Sequence, residues 1–218
     1  MDDLVFRKAT PADLPFLIEA VKAAESLGSL GCTYEKLFQL SMAEVDDLLA
    51  GALAIDSDGY QLALSTFSVC AKGGLPLACC SSWVEAEDGI SSGFKMASVL
   101  CDLLGFEKWV AASAAIKAFA DATPQRMPGA LQMETFFVAQ NCRGQGLTAR
   151  IIDHVISHFA SADSPTKLAE ITMLEGNAEA LNAYQKAGFH VRQNGVAGSE
   201  LFRTLTGSAR FIQLCKSI

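Results

Sequence analysis

The stretch 130–159 constrains the fold more than any other. Residues 130–139 read as a strand whose end carries Phe136, Phe137 and Val138, and the chain then passes through Arg143, Gly144, Gln145 and Gly146 straight into a helix. On that helix Leu147, Ile151, Ile152, Val155, Ile156 and Phe159 make one apolar stripe, which must be covered by another layer. The turn also has a chemical reading. A strand that meets a helix N-terminus through a glycine loop aims several backbone N–H groups and the positive end of the helix dipole at one point, an anion site suited to phosphate. Gly144 and Gly146 allow the backbone to come close to a ligand, and Arg143 adds a positive charge. No Gly-Lys-Ser/Thr follows, so this is not a Walker A loop. Nor are there the three glycines of a dinucleotide fingerprint. A tight strand-to-helix turn without any ligand would carry the same residues.

Around this unit the chain alternates between the two periodicities. Residues 4–8 predict a short strand. Thr10, Pro11 and Asp13 predict a helix start, with a threonine N-cap, proline at the first position and an acid closing a capping box. Leu14, Leu17, Ala20, Val21 and Ala24 give that helix one buried face. Ser41 and Glu44 form a second capping box, which divides the next stretch into helices at about 34–40 and 42–54. Residues 61–71 and 75–85 predict a hairpin around Lys72, Gly73 and Gly74. From about 86 to 129 the pattern is helical, and we expect a two-helix insertion, since about 40 residues bury too little to form a core of their own. Strands are expected at 167–174, from 189 and at 209–216, a helix at 177–187 and a loop at 194–208. The sum is an α/β (α+β) fold in one domain, 1–218. Its mixed central sheet has about six or seven strands with helices on both faces, and the insertion precedes the fourth strand.

Composition narrows the partners. The 218 residues carry 17 basic and 24 acidic side chains, a net charge of −7, which argues against nucleic acid as the main partner. Mean hydropathy is positive, +0.27. Yet the long uncharged runs at 60–71 and 73–84 fall well short of the ~20 residues that a spanning helix needs, so no membrane partner is expected. Cys32, Cys70, Cys79, Cys80, Cys101, Cys142 and Cys215 include no CxxC pair, and the first residues show no leader. They read as small buried hydrophobes in a reducing, cytoplasmic setting.

Residues 143–148, Arg-Gly-Gln-Gly-Leu-Thr, resemble the acyl-CoA pyrophosphate loop of the GCN5-related N-acetyltransferase (GNAT) superfamily, (Arg/Gln)-x-x-Gly-x-(Gly/Ala), with Thr148 in place of the small final residue. Downstream, Asn177, Ala180, Tyr184, Gly188 and Phe189 resemble the family's Asn-x-x-Ala-x-x-x-Tyr-x-x-x-Gly-Phe segment. Arg7, Ala9, Thr10 and Asp13 at the start, and Phe211 with Lys216 at the end, fit more loosely. The likeness covers about 3–85 and 130–218. It implies an acetyl-CoA-dependent N-acetyltransferase that moves the acetyl group directly to the amine of a small molecule, with acetyl-CoA as cosubstrate and no metal. It further implies that the strand ending in Phe136, Phe137 and Val138 splays from the next strand to admit the pantetheine arm. Arg143, Gly144, Gln145, Gly146, Leu147 and Thr148 would hold the pyrophosphate, and Asn177 the arm or its own helix. The Val138 N–H would face the developing oxyanion, and Tyr184 would protonate the departing thiolate. Family members often use a glutamate on this strand as base. Strand alternation puts Glu134 on the face of Phe136 and Val138. Glu175 is a weaker candidate, and Thr172 stands where some members carry a glutamate.

Each residue also has a plainer reading. Tyr184 lies at helical spacing with Ala180 and Leu181 and can simply pack. Asn177 can be only an N-cap. His154 and His158, four apart, read as a solvated face rather than a metal pair. Cys142 beside the loop has no histidine to activate it. Trp83, Phe94, Phe106, Trp109 and Phe119 could line an acceptor pocket or pack as core. The alternative function is a non-catalytic acyl-CoA-binding or regulatory module. The apolar insertion makes a homodimer compatible with the sequence.

Overall fold

A computed structural model describes residues 3–26, 31–55, 57–160 and 164–218. Among these, seven strands make one sheet: β1 (Leu4–Lys8), β2 (Phe67–Lys72), β3 (Leu75–Val84), β4 (Leu131–Val138), β5 (Leu168–Leu174), β6 (His190–Asn194) and β7 (Phe211–Ser217). Their order is β1-β2-β3-β4-β5-β7-β6. Only β4 and β5 pair in parallel; every other neighbour is antiparallel. The hairpin turn at 73–74 falls where expected. The strand anticipated from residue 61 begins only at Phe67, because Tyr60 is drawn under a helix where its hydroxyl reaches the carbonyls of Ala52 and Ile55 at 3.1 and 2.9 Å.

The helices are α1 (Leu14–Ala24), α2 (Thr33–Phe38), α3 (Met42–Ala54), α4 (Ser92–Leu104), α5 (Phe106–Ala111), α6 (Ser113–Ala122), α7 (Leu147–Phe159), α8 (Ala178–Lys186) and α9 (Glu200–Thr206). Alternation along the strands sorts them. Leu131, Met133, Ile171 and Leu214 face α7 and α8, burying the stripe of Ile151, Ile152 and Val155. The opposite face carries Phe67, Val69 and Cys79 against α1, α3 and α4. Both capping boxes form. Asp13 accepts from the Thr10 backbone N–H and hydroxyl at 2.8 and 2.9 Å. It also takes both Arg7 guanidinium nitrogens at 2.6 and 2.8 Å, which holds its carboxyl down at about 2.

The insertion contains three helices rather than two, broken at Gly105 and again at Ala112. It lies on α2 and α3, where Trp109 stacks on Phe38 at 6.1 Å. The expected loop at 194–208 contains α9, started by Ser199 accepting from the Phe202 N–H. Seven residues are too few to show a period. What fixes α9 is tertiary: Phe202 is fully buried, 5.3 Å from both Phe119 and Phe211. Among the described residues no helix is long and apolar enough to cross a membrane.

Candidate active site

β4 and β5 stay together for only two residue pairs, Leu131 with Ala169 and Gln132 with Glu170. Beyond Gln132 the strands part, while β5 keeps its ladder with β7 along its full length. The remaining six residues of β4 therefore present an unpaired edge to the gap. The Ala139 N–H donates to the Leu77 carbonyl of β3. Backbone groups alternate between neighbours in an antiparallel ladder, so those of Val138 turn the other way, toward the gap. The guanidinium of Arg143 reaches back to the Val138 carbonyl at 3.4 Å.

The loop after β4 makes a single 3₁₀ turn, Gln140–Cys142, then enters α7 through Gly144 and Gly146, with φ of 75° and 74°. The first i→i−4 bond of the helix is Arg150 N–H to Gly146 carbonyl. The amides of Gly144, Gln145, Gly146, Leu147 and Thr148 precede it and have no acceptor among the described residues. A Cβ added at Gly144 or Gly146 would meet nothing within 4 Å, so the space above the loop is open. Arg143, these five residues and the splayed end of β4 (Phe136, Phe137 and Val138) form one continuous wall.

The structure corrects the facing of Glu134. Ser81 pairs with Glu134 and Cys79 with Phe137, so two residues of β4, Thr135 and Phe136, oppose Cys80 alone. Thr135 carries the extra step with φ of 50°. This β-bulge breaks the alternation. Phe136 and Val138 pack on the α7 and α8 side, whereas Glu134 and Phe137 face α1 and the insertion. There Glu134, 8% exposed, is bound by Arg126 Nη2 at 2.6 Å. Arg126 lies over the Trp83 ring at 5.4 Å and reaches the Ser92 hydroxyl at 3.3 Å. Ser92 and the Trp83 indole both donate to Glu85. Neighbouring bonds fix the same segment: Met127 N–H and Gln132 Nε2 donate to Glu170 at 3.0 and 2.7 Å, and Arg192 pairs with the other Glu170 oxygen.

This polar layer continues to Gln61, Glu25 and Tyr34. Burial, then the charge of Glu134, pushes Glu25 up to about 7, against a smaller pull from the Gln61 hydrogen bond and Arg126. Tyr34 is raised above the usual phenol value by its burial and by Glu25. Glu25, Gln61, Arg126 and Thr135 had no signal in the sequence. They come from four separate segments, and none belongs to a spaced motif.

On the opposite face Tyr184 is 7% exposed and packs against Phe136, ring centroids 5.0 Å apart. Its hydroxyl has no hydrogen-bond partner among the described residues. Burial first, then Cys80 and Glu134, raises its pKa, so the phenol keeps its proton at neutral pH. Asn177 caps α8, its side-chain oxygen accepting from the Ala180 N–H at 3.1 Å. Glu175 lies at the surface beside Arg210. The His154 ring stacks on Phe6 at 5.1 Å. The aromatics of the insertion do not converge: Phe94 and Phe106 are 68% and 74% exposed, while Phe119 packs with α9.

A protein-family model described as an acetyltransferase (GNAT) domain matches residues 106–199, from α5 through β4, α7, β5 and α8 to β6. No curated protein matches the chain in sequence. Among solved structures, an N-acetyltransferase from Staphylococcus aureus Mu50 superimposes with a TM-score of 0.66 at 14% identity, covering 97% of this chain and 100% of that one. An agmatine N-acetyltransferase gives 0.56 at 15%, with full coverage of both. AAC(6')-Ib, solved with ribostamycin and coenzyme A, gives 0.53 at 15%, covering 99% and 94%. The family model spans under half of the chain, and the solved structures, at 14–15% identity, share its fold.

Of these neighbours, AAC(6')-Ib has been solved with coenzyme A and with acetyl-CoA. The residues present fit it. The unpartnered amides at 144–148 and Arg143 suit a diphosphate, the open space over Gly144 and Gly146 admits it, and the free edge of β4 suits the amides of a pantetheine arm.

Proposed function

We propose that this protein transfers an acetyl group from acetyl-CoA directly to the amine of a small-molecule acceptor. The observation that carries this reading is the two-rung β4–β5 seam opening beside the α7 N-terminus, with Tyr184 on one side and a carboxylate-rich layer on the other. Acetyl-CoA supplies the thioester. Arg143 and the amides of 144–148 hold its diphosphate, Phe136 to Val138 hold the arm, and Asn177 keeps α8 and therefore Tyr184 in place. The Val138 N–H faces the gap, where it stabilises negative charge on the carbonyl oxygen. Tyr184 gives its proton to the sulfur as the C–S bond breaks. Glu134, paired with Arg126, lends fixed charge to the acceptor side. Two structural neighbours, an agmatine N-acetyltransferase and AAC(6')-Ib solved with ribostamycin, support an amine as the acceptor class. The seven cysteines are all unpaired, which supports a reducing, cytoplasmic setting.

The test is thiol release from acetyl-CoA over a panel of diamines, guanidino amines and aminoglycosides. Turnover with at least one is expected, and Tyr184→Phe should slow kcat by about 10²-fold while coenzyme A affinity is unchanged. Coenzyme A bound without turnover on any amine would overturn the assignment. Full activity in Tyr184→Phe would remove the tyrosine from it.

A further inference from the structure

Glu25 ends α1 on the face that carries Glu134. Its Oε1 accepts from Gln61 Nε2 at 3.3 Å, and the same Nε2 lies 3.0 Å from Thr135 Oγ1. One amide group thus ties this carboxylate to the bulge, next to the point where β4 leaves β5. The charged groups that act on Glu25 are Glu134 on β4 and Arg126 on the segment after α6, while Cys32 and Tyr34 at the start of α2 face it and feel its charge. The cation in that set is spent, because Arg126 is bound to Glu134 at 2.6 Å. Glu25 is half-buried, has no salt bridge among the described residues, and its second oxygen accepts no hydrogen bond there.

We propose that Glu25, held by Gln61 against the β4 bulge, is the base that deprotonates the acceptor. This rests on the acetyl-transfer reading above. The division of labour follows from the pairing. A carboxylate locked to a guanidinium cannot accept a proton without breaking the pair, whereas one held by a single neutral amide can. An amine arrives as its ammonium. Glu25 takes one proton from nitrogen, the freed lone pair forms the C–N bond to the acetyl carbon, the C–S bond breaks, and the sulfur takes the Tyr184 proton. The new C–N bond leaves one proton too many on nitrogen; this passes through water to the Tyr184 phenolate and restores the phenol, while Glu25 gives its own proton to solvent, so each turnover releases one net proton. A base with a pKa near 7 is half-ionised at the working pH, which suits general-base catalysis. The same carboxylate is negative when it meets the ammonium and so attracts it.

The experiment compares wild type, Glu25→Gln, Glu25→Asp and Glu134→Gln by kcat/KM from pH 5.5 to 9, with coenzyme A affinity by calorimetry and carboxyl titration by ¹³C NMR. We expect wild-type activity to rise with pH through a midpoint near 7. In Glu25→Gln it should fall about 10²-fold and lose that limb, with coenzyme A binding intact and a carboxyl signal titrating near 7 gone. Glu25→Asp should keep the limb at reduced rate. A wild-type limb that persists in Glu25→Gln, or disappears in Glu134→Gln alone, overturns the inference and leaves the acetyl-transfer reading standing. A wild type inactive on every amine overturns both. The NMR titration reads Glu25 without turnover, and its absence near pH 7 in wild type also overturns the assignment.

Discussion

Arg126→Met tests whether the polar layer under the insertion holds the acceptor side together. Arg126 and Glu134 sit 2.6 Å apart with side-chain exposures of 17% and 8%. Removing the cation strands the Glu134 carboxylate in a site with Glu25 and Glu85 nearby, and truncating one partner of a buried pair costs about 3–5 kcal/mol. The residual exposure of Arg126 favours the low end, about 3 kcal/mol, and this includes the loss of its contact with the Trp83 ring, roughly 0.5–1 kcal/mol. With a urea m-value of about 3 kcal/mol/M for a chain of this size, the midpoint should drop by about 1 M. Arg126→Met/Glu134→Gln removes both charges and should recover most of the loss, a coupling of about 2 kcal/mol. The assay is urea unfolding followed by far-ultraviolet circular dichroism, which does not depend on the Trp83 environment. If the double variant loses the sum of the two single losses, the pair is not the electrostatic unit described.

Two further perturbations address the loop and the N-terminal staple. Gly146→Ala adds a methyl group at φ of 74° with open space around it, so stability should fall by only about 1 kcal/mol. Its affinity for coenzyme A should drop about tenfold, read by calorimetry, because that methyl takes the ligand's side of the loop; unchanged affinity would place the diphosphate elsewhere. Asp13→Asn should cost about 2 kcal/mol at pH 6, since the folded carboxyl is held near 2. A depressed folded pKa stabilises above the unfolded value, so the difference should shrink as pH falls from about 4 and vanish near 2. A gap that stays constant over that range would show that Arg7 does not set it.

Local signals in the sequence carry most of the architecture. The two capping boxes, the turn at 73–74 and the stripe on α7 each combine a start signal with a period, and each element appears where they place it. The turn at 143–146 into α7 and the Asn177 cap of α8 also form where local residues place them, since their residues are close in sequence. The failures share the opposite property. The bulge that turns Glu134 away from Phe136 depends on how β4 pairs with β3, and Thr135 shows nothing locally of its left-handed backbone. α9 exists because Phe202 is captured by Phe119 and Phe211 from distant segments. The acceptor-side layer joins residues 25, 61, 126 and 134, and no window of sequence contains them together.

The return from the insertion has a mechanical consequence. Two rungs are all that the ladder supplies between the half-sheet β1–β4 and the half-sheet β5–β7. Residues 125–127 buckle across that seam, gripping Gln213 and Glu170 on one plate and Glu134 on the other. The plates that would carry donor and acceptor are therefore aligned by a strap lying outside either one. Slackening it would leave every reactive side chain present and folded, yet let the distance between the two reactants drift.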